Sequence, residues 1–264
     1  MKTKRAYTVG QYGQIHYCSC GKGQPLVLMH QSPTSMVQFH KVWGLLAAKG
    51  FQVIGIDLPG YGGSDAPEDV PSIADYTHIV PAVLDALGIE KADLLGHHTG
   101  AVVATEVALQ SPDRINRLIL NGPLPITEDE RAFFKQTMAA EKTWVPREDG
   151  GHLLEQWQMR VAAQPGVTDF EAVHRNVVAG AAAWPLAYYA HDAVFAYDHG
   201  AAMTKITHPC LVFSNTGDSI HAIAERTKDL RPDFDWAELA GGTFDIVDEQ
   251  PEAWADVVAR WLRA

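Results

Sequence analysis

Leu94-Leu95-Gly96-His97-His98-Thr99-Gly100-Ala101 is the stretch that decides the fold. The apolar run at residues 93–95 has the length of a short buried strand, and residues 101–109 are apolar around most of a helix. A glycine on each side of the turn predicts a strand-to-helix corner too tight for ordinary side chains. The sequence therefore predicts a sharp turn with His98 at its tip.

Around this corner, apolar runs alternate with helical patterns. Strands are predicted as a hairpin over residues 6–20 and at residues 25–30, 51–57, 115–121, 209–213 and 236–239, and helices at residues 37–49, 73–87 and 251–262. Strands and helices that alternate at this spacing predict a mostly parallel central sheet flanked by helices on both faces.

Residues 123–205 have a different pattern, in which helix follows helix without a strand. Thr127 with Glu130, and Thr168 with Glu171, match the capping box that starts a helix. A helical insertion inside an α/β domain is typical of a lid. The sequence thus predicts one core domain, residues 1–122 and 206–264, with a helical lid at 123–205.

Five landmarks of the α/β-hydrolase superfamily occur here in the order that the superfamily has them. They are the strand that ends at His30, with Gln31 in place of a glycine; the turn Asp-Leu-Pro-Gly-Tyr-Gly-Gly-Ser-Asp at 57–65; the Gly-x-x-x-Gly elbow at 96–100; Asp218 after the strand at 211–213; and Gly-Gly-Thr-Phe at 241–244. Over nearly its whole length the chain resembles this superfamily. It also resembles a subset that shares His30-Gln31-Ser32-Pro33 and the elbow Gly-His-His-Thr-Gly and that lacks the nucleophilic serine and the catalytic histidine.

Two of the three catalytic-triad positions that the resemblance implies are altered. His98 stands where the family has its nucleophile, and Thr243 or Phe244 stands where it has its histidine, whereas Asp218 is retained. We expect the His98 imidazole to cross the gap, with the small Thr243 opposite, and to bond Asp218 directly. The result is a base whose tautomer is fixed by a carboxylate and whose other nitrogen faces the pocket.

An oxyanion hole does not depend on the missing hydroxyl. We expect one donor from the Thr99 N–H at the helix start and a second from the N–H of Gln31 or Ser32. His30 and His97 are expected to support the site by packing, and Asp245 and Asp248 to be solvated. Pocket-lining side chains are predicted beneath the lid at Trp144, Trp157, Trp184 and Tyr188.

Neither a metal nor a cofactor is predicted. A zinc site built from His30, His98, Asp218 and His221 is an alternative, since imidazole and carboxylate suit zinc. These four residues lack the close, regular spacing that favours a metal site.

Three functions stay open at the level of sequence. The first is an enzyme that hydrolyses an ester or lactone in a small apolar substrate, with His98 and Asp218 as general base and no serine nucleophile. The second is a catalytically silent protein that binds a small molecule. The third is a cofactor-free lyase, isomerase or oxygenase that uses the same base.

The composition limits the partners. A formal net charge of −11 argues against binding to nucleic acid or to an anionic membrane. No apolar stretch follows the basic residues 1–5, so we expect no secretory signal and no membrane span. The three cysteines are expected to be reduced thiols, which favours the cytoplasm. The expected partner is a small-molecule substrate, and the oligomeric state stays open.

Overall fold

The computed structural model describes residues 3–264, apart from the side chains of residues 140 and 141. Residues 1 and 2, the start of the basic segment considered above, lie outside the described residues. The strands are β1 (Lys4–Gly10), β2 (Gly13–Cys20), β3 (Gln24–Met29), β4 (Phe51–Ile56), β5 (Ala92–His97), β6 (Ile115–Asn121), β7 (Cys210–Asn215) and β8 (Asp235–Leu239). They form one eight-stranded sheet in the order β1-β2-β4-β3-β5-β6-β7-β8.

Helices connect the parallel strands. The α-helices are α1 (Trp43–Ala48), α2 (Ile73–Tyr76), α3 (Ile79–Ala86), α4 (Thr99–Gln110), α5 (Glu128–Met138), α6 (Gly151–Ala162), α7 (Phe170–Ala182), α8 (Tyr189–Ala196), α9 (His199–Met203), α10 (His221–Glu225), α11 (Thr227–Leu230), α12 (Ile246–Glu249) and α13 (Pro251–Arg263). Short 3₁₀ helices cover Met36–Phe39, Pro112–Arg114 and Ala139–Thr143.

The sheet is antiparallel at one edge and parallel elsewhere. β2 pairs antiparallel with β1 and with β4, whereas every pairing from β4 across to β8 is parallel. The predicted mostly parallel sheet is therefore confirmed. In such a sheet the carboxyl ends of the strands meet at one edge, and loops that follow different strands can bring side chains together there.

Two apolar cores lie on opposite faces of the sheet, because successive side chains of a strand point to opposite sides. Val27 and Met29 belong to one core, whereas Leu26 and Leu28 belong to the other. All four side chains are fully buried, and each such burial stabilises the fold by about 1.5–3 kcal/mol. Burial on both faces explains why the parallel strands read as continuous apolar runs.

The helix predicted at residues 73–87 is two helices, α2 and α3. Pro81 has no N–H that could donate to the carbonyl of Thr77. The first helix therefore ends before it, and α3 begins with Pro81 in its first turn. At the break, the Thr77 hydroxyl donates to the Ala74 carbonyl at 2.7 Å, and His78 Nδ1 donates to the Asp75 carbonyl at 2.6 Å. Side chains thus satisfy carbonyl groups that an unbroken helix would have used.

The helix predicted at residues 37–49 is also divided, into the 3₁₀ helix Met36–Phe39 and α1. Tertiary hydrogen bonds hold the first part, because the Met36 N–H donates to Asp57 Oδ1 at 2.8 Å and the Gln38 side chain is directed inward. The helix propensity of residues 37–49 does not predict these tertiary contacts.

Between β6 and β7 the described chain is helical, as predicted. The capping box of Thr127 and Glu130 is present at the start of α5. The second predicted box is wrong by one residue, because Asp169 and not Thr168 caps α7 and accepts from the Ala172 N–H at 3.0 Å. In the described residues no helix has the length and apolar character needed to cross a bilayer.

The corner between β5 and α4 depends on its two glycines. A Cβ at Gly96 would come within 2.0 Å of the Gly100 carbonyl oxygen, and one at Gly100 within 2.1 Å of the Met29 carbonyl oxygen. Both obstacles are backbone atoms, which cannot move without shifting the sheet. The close approach of α4 to β3 and β5 therefore requires glycine at both positions.

Gly100→Ala should lower the free energy of unfolding by about 1–3 kcal/mol or more, since the added methyl meets fixed backbone. The matched control is Gly44→Ala in α1, where an added Cβ meets nothing within 4 Å. The control should be neutral or stabilise by up to about 1 kcal/mol, because alanine favours a helix more than glycine does. Urea denaturation of both variants checks this, and equal midpoints would contradict it.

Candidate active site

His98 stands at the tip of the corner in a backbone conformation that side chains rarely adopt. Its φ is 49° and its ψ is −110°, and it is the one non-glycine residue with a positive φ between residues 3 and 264. Such a conformation costs about 1–3 kcal/mol and persists only where the surroundings enforce it. Here the His98 N–H donates to the Asn121 carbonyl at 2.9 Å, which ties the turn to the end of β6.

The imidazole of His98 reaches Asp218, as the sequence predicts. Nε2 lies 2.7 Å from Asp218 Oδ2, and 15% of the His98 side chain and 1% of the Asp218 side chain are exposed. Burial by itself raises the pKa of Asp218, but the charge and hydrogen bond of His98, with the Ile220 N–H, bring that pKa below its usual value. Asp218 is thus a carboxylate that only accepts, so Nε2 of His98 carries the donated proton.

The second nitrogen of His98, Nδ1, is not used by Asp218. Nδ1 has no hydrogen-bond partner among residues 3–264. It is also absent from the set of buried polar atoms without a partner, so it is not fully buried. A neutral imidazole with its proton on Nε2 has a free electron pair on Nδ1. His98, held by Asp218, can therefore accept a proton at Nδ1.

Gly122 provides the room that His98 needs. It has a φ of +64°, and a Cβ there would come within 2.4 Å of His98 Cδ2 and 2.7 Å of His98 Nε2. The sequence does not single out this glycine, since its role depends on the ring that lies across it.

The predicted oxyanion donors differ in their availability. The Thr99 N–H begins α4 and has no partner in the described part of the chain, so it is free to donate. The Ser32 N–H donates only weakly to Thr99 Oγ1, at 3.3 Å, and the two hydroxyl oxygens lie 2.7 Å apart. Gln31 is wrong as a donor, because its N–H is buried and donates to Gln38 Oε1 at 2.9 Å.

His30 supports the loop that follows β3. Its Nδ1 donates to the Gln31 carbonyl at 2.8 Å, and its Nε2 accepts from the Leu58 N–H at 2.9 Å. The ring is fully buried, and that burial lowers its pKa. His30 is therefore a neutral imidazole that links two loops at this edge of the sheet.

His97 is also fully buried, and it packs against His98. The two ring centroids lie 4.3 Å apart, and the Gln38 side-chain amide contacts His97 Nδ1. Burial, and then the neighbouring His98, hold the pKa of His97 well below its usual value. His97 Nε2 is buried and has no hydrogen-bond partner among the described residues.

Thr243 does not bond His98. Its hydroxyl donates to Glu249 Oε1 at 2.8 Å and its N–H donates to Glu249 Oε2 at 2.6 Å. The His98 ring instead lies against Gly122, and Ile220 Cδ1 lies 3.4 Å from the position of a Cβ on that glycine.

The prediction that Asp245 and Asp248 are solvated is wrong, because each is only 4% exposed. Asp245 pairs with Arg160 of α6, and Asp248 pairs with Arg175 of α7. Asn176 Nδ2 also donates to Asp248 Oδ2 at 3.2 Å. The carboxylates are buried because helices of the insertion bring compensating charge to them, which a local pattern does not reveal.

The four aromatic residues predicted to line a pocket lie in the insertion and contact one another or nearby helices. Trp184 is 43% exposed, and its Nε1 donates to the Trp144 carbonyl at 3.0 Å. Trp157 stacks on Phe170 at 6.1 Å between centroids, and Tyr188 packs edge-on against Tyr189 at 5.0 Å. None of these contacts joins them to His98.

The predicted alternative zinc set is not assembled among the described residues. The close groups are His97 with His98 and Asp218, and His221 with Glu225 and Glu238, each with ligand atoms within 4.8 Å of one another. In the first group the Gln38 amide donates to His97 Nδ1, which leaves the proton of His97 on Nε2. A protonated nitrogen is not a ligand, so this arrangement opposes metal binding there.

Comparisons with known proteins agree with this architecture. The family model described as alpha/beta hydrolase fold matches residues 24–143. A 2-hydroxy-6-oxononadienedioate/2-hydroxy-6-oxononatrienedioate hydrolase of Burkholderia vietnamiensis is 37% identical over 114 residues, which are 41% of this chain and 40% of that protein. Epoxide hydrolase 3 of Siraitia grosvenorii is 33% identical over 146 residues, 51% of this chain and 46% of its own. The chain thus matches less than half the length of these curated relatives.

A solved structure extends the likeness to the whole chain. A thermophilic esterase from Thermogutta terrifontis superposes with a TM-score of 0.81 at 22% identity, over 98% of both chains. This protein has the α/β-hydrolase fold, and His98 lies at the turn between β5 and α4 of that fold.

Gly122→Ala should lower the free energy of unfolding by about 2–5 kcal/mol, because the methyl overlaps the His98 ring, which costs about 1–3 kcal/mol, and alanine is strained at a positive φ, which costs about 1–2 kcal/mol. In the His98→Ala background the overlap is gone, and only the cost of a positive φ, about 1–2 kcal/mol, remains. The double-mutant cycle should therefore give a coupling free energy of about 0.5–3 kcal/mol, measured by urea denaturation. Additive effects would show that the ring does not lie over Gly122.

Proposed function

We propose that this protein hydrolyses an ester or lactone bond in a small, apolar, uncharged substrate, with His98 and Asp218 as its general base. The observation that carries the proposal is the 2.7 Å hydrogen bond from His98 Nε2 to the buried Asp218, with Nδ1 left free. The relatives named above are hydrolases and the structural neighbour is an esterase, which supports the reaction class.

The proposed reaction uses water in place of a serine hydroxyl. Nδ1 of His98 removes a proton from a water molecule while the water oxygen bonds to the substrate carbonyl carbon. Asp218 stabilises the imidazolium ion that forms and keeps the ring in position. When the tetrahedral intermediate collapses, the carbon–oxygen bond to the leaving alkoxide breaks, and the proton on Nδ1 passes to that alkoxide.

The negative charge of the intermediate needs donors at the same edge of the sheet. The Thr99 N–H is free and lies at the positive end of α4, which has twelve residues. The hydroxyl pair of Ser32 and Thr99 adds a further donor, because only one of its two protons is used between the two oxygens. We assign these groups to the oxyanion hole, and Gln31 to its support.

The helical segment at 123–205 is proposed as a lid. Arg160 of α6, Gln164 in the turn after α6, and Arg175 and Asn176 of α7 donate to the buried carboxylates at 245 and 248. The aromatic side chains of the same segment provide the apolar surface that a small substrate needs. A lid seated in this way excludes bulk water, which strengthens the electrostatic interactions of the base.

His98→Ala should lower kcat for the hydrolysed substrate by about 10²–10⁴-fold, the usual contribution of a positioned general base. Asp218→Asn should also lower kcat, because its amide can present a donor to Nε2 and favour the wrong tautomer. The matched control is His174→Ala, which removes an exposed histidine of α7 and should leave kcat unchanged. Initial rates against a panel of aryl esters and lactones give these values.

Three outcomes would overturn the proposal. Rates equal to those in buffer across the panel would indicate another reaction or a binding protein. Tight binding of a panel member that the wild-type protein does not turn over would favour the silent binding protein. Equal loss of kcat in His98→Ala and His174→Ala would show that stability, not the base, is measured.

A further inference from the structure

A chain of buried polar side chains lies behind His98, and the proposed reaction does not use it. Gln31, Gln38 and His97 are 4%, 1% and 0% exposed. Buried polar groups are costly unless each donor meets an acceptor. In such a chain each side chain must therefore be oriented so that its donor faces an acceptor.

The direction of each hydrogen bond in this chain is fixed by a group that can act in only one way, the Asp245 carboxylate at one end and the Gln31 backbone N–H in the middle. The Asp245 carboxylate only accepts, so Gln31 Nε2 donates to it, at 3.0 Å. The Gln31 N–H donates to Gln38 Oε1 at 2.9 Å, which orients the Gln38 amide. Gln38 Nε2 then donates to His97 Nδ1 and fixes the tautomer of that ring.

His97 packs against His98 and so restricts the orientation of the His98 ring. The two rings are in contact, with centroids 4.3 Å apart and an angle of 51° between their planes. On its other side the His98 ring is held by Asp218 and crosses Gly122. The imidazole is thus confined between a hydrogen-bonded carboxylate and a ring whose own orientation is set by Gln38.

The insertion holds the other end of the chain. Arg160 Nε donates to Asp245 Oδ2 at 3.1 Å, Gln164 Nε2 also donates to that oxygen, and Asn176 Nδ2 does so at 3.4 Å. Arg160 lies in α6 and Asn176 in α7, whereas Gln164 lies in the turn that follows α6. Asp245 therefore links two helices of the insertion to the loop after β3, and it does so from the segment where the resemblance places the missing histidine.

We propose that Asp245 and Gln38 are positioning residues for His98. Asp245 anchors the chain when α6 and α7 are seated on it, and Gln31, Gln38 and His97 carry that order to the imidazole. The consequence for turnover rests on the proposed function, whereas the consequence for the orientation of His98 does not.

Gln38→Glu tests the chain at its centre, because it changes a donor into an acceptor without changing its shape. One carboxylate oxygen still accepts from the Gln31 N–H, but the other now faces His97 Nδ1 and draws the proton to that nitrogen. We expect the ¹⁵N resonances of His97 to change to the Nδ1–H tautomer and those of His98 to shift. We expect kcat to fall by about 10²-fold with KM unchanged, as small displacements of a catalytic group do.

Asp245→Asn tests the anchor. The amide NH₂ of the new side chain would face Arg160, so the ion pair that holds α6 is lost. The amide oxygen can still accept from Gln31 Nε2. We expect a smaller shift of the His98 resonances and a smaller fall in kcat than Gln38→Glu gives. If this variant does not fold, Gln38→Glu decides alone.

The matched control is Gln158→Glu, the same substitution at an exposed position of α6, which should leave the resonances and kcat unchanged. His98 resonances that are identical in wild type and in folded Gln38→Glu would overturn the proposal, whatever the activity. If the wild-type protein hydrolyses nothing on the panel, the proposed function fails, and the resonances still decide the positioning role.

Discussion

The turn at the end of β5 is the constraint on which the site depends. Gly96 and Gly100 let α4 approach the sheet so closely that no side chain fits between them, and His98 is forced to a positive φ. In that conformation the side chain extends from the carboxyl edge of the sheet to Asp218. An imidazole is longer than a serine side chain, and Gly122 leaves the space for it. The turn, the ring and the acid therefore form one unit.

The segment in which the resemblance implies a catalytic histidine holds a buried carboxylate. Asp245 follows the position where the resemblance places that histidine, and it is buried among donors from the insertion and from Gln31. Removing charge from water is costly, so such a carboxylate is retained only with several matched partners. Where a triad orients its imidazole with one acid, this protein holds the His98 ring from two sides, through Asp218 and through His97.

The sequence predicts the parallel sheet and the helical insertion because glycine spacing and apolar periodicity are local signals, whereas the contact of His98 with Asp218 is what the resemblance to the α/β-hydrolase superfamily implies. It misplaces Asp245 and Asp248, whose burial depends on arginines about 70–85 residues away in the chain. It names Gln31 as an oxyanion donor, but the inward turn of Gln38 takes that N–H. The sequence offers one signal for this contact, the polar Gln38 on the apolar side of residues 36–39. A helix pattern alone does not show that its partner is the Gln31 N–H.

The most direct test is the tautomer of His98, read from the ¹⁵N chemical shifts of its ring in the wild-type protein and in Asp218→Asn. A carboxylate that accepts from Nε2 predicts a protonated Nε2 and a bare Nδ1 in the wild type, with that pattern lost in the variant. A His98 ring protonated at Nδ1, or a pattern that Asp218→Asn leaves unchanged, would contradict the pairing on which the proposed chemistry depends.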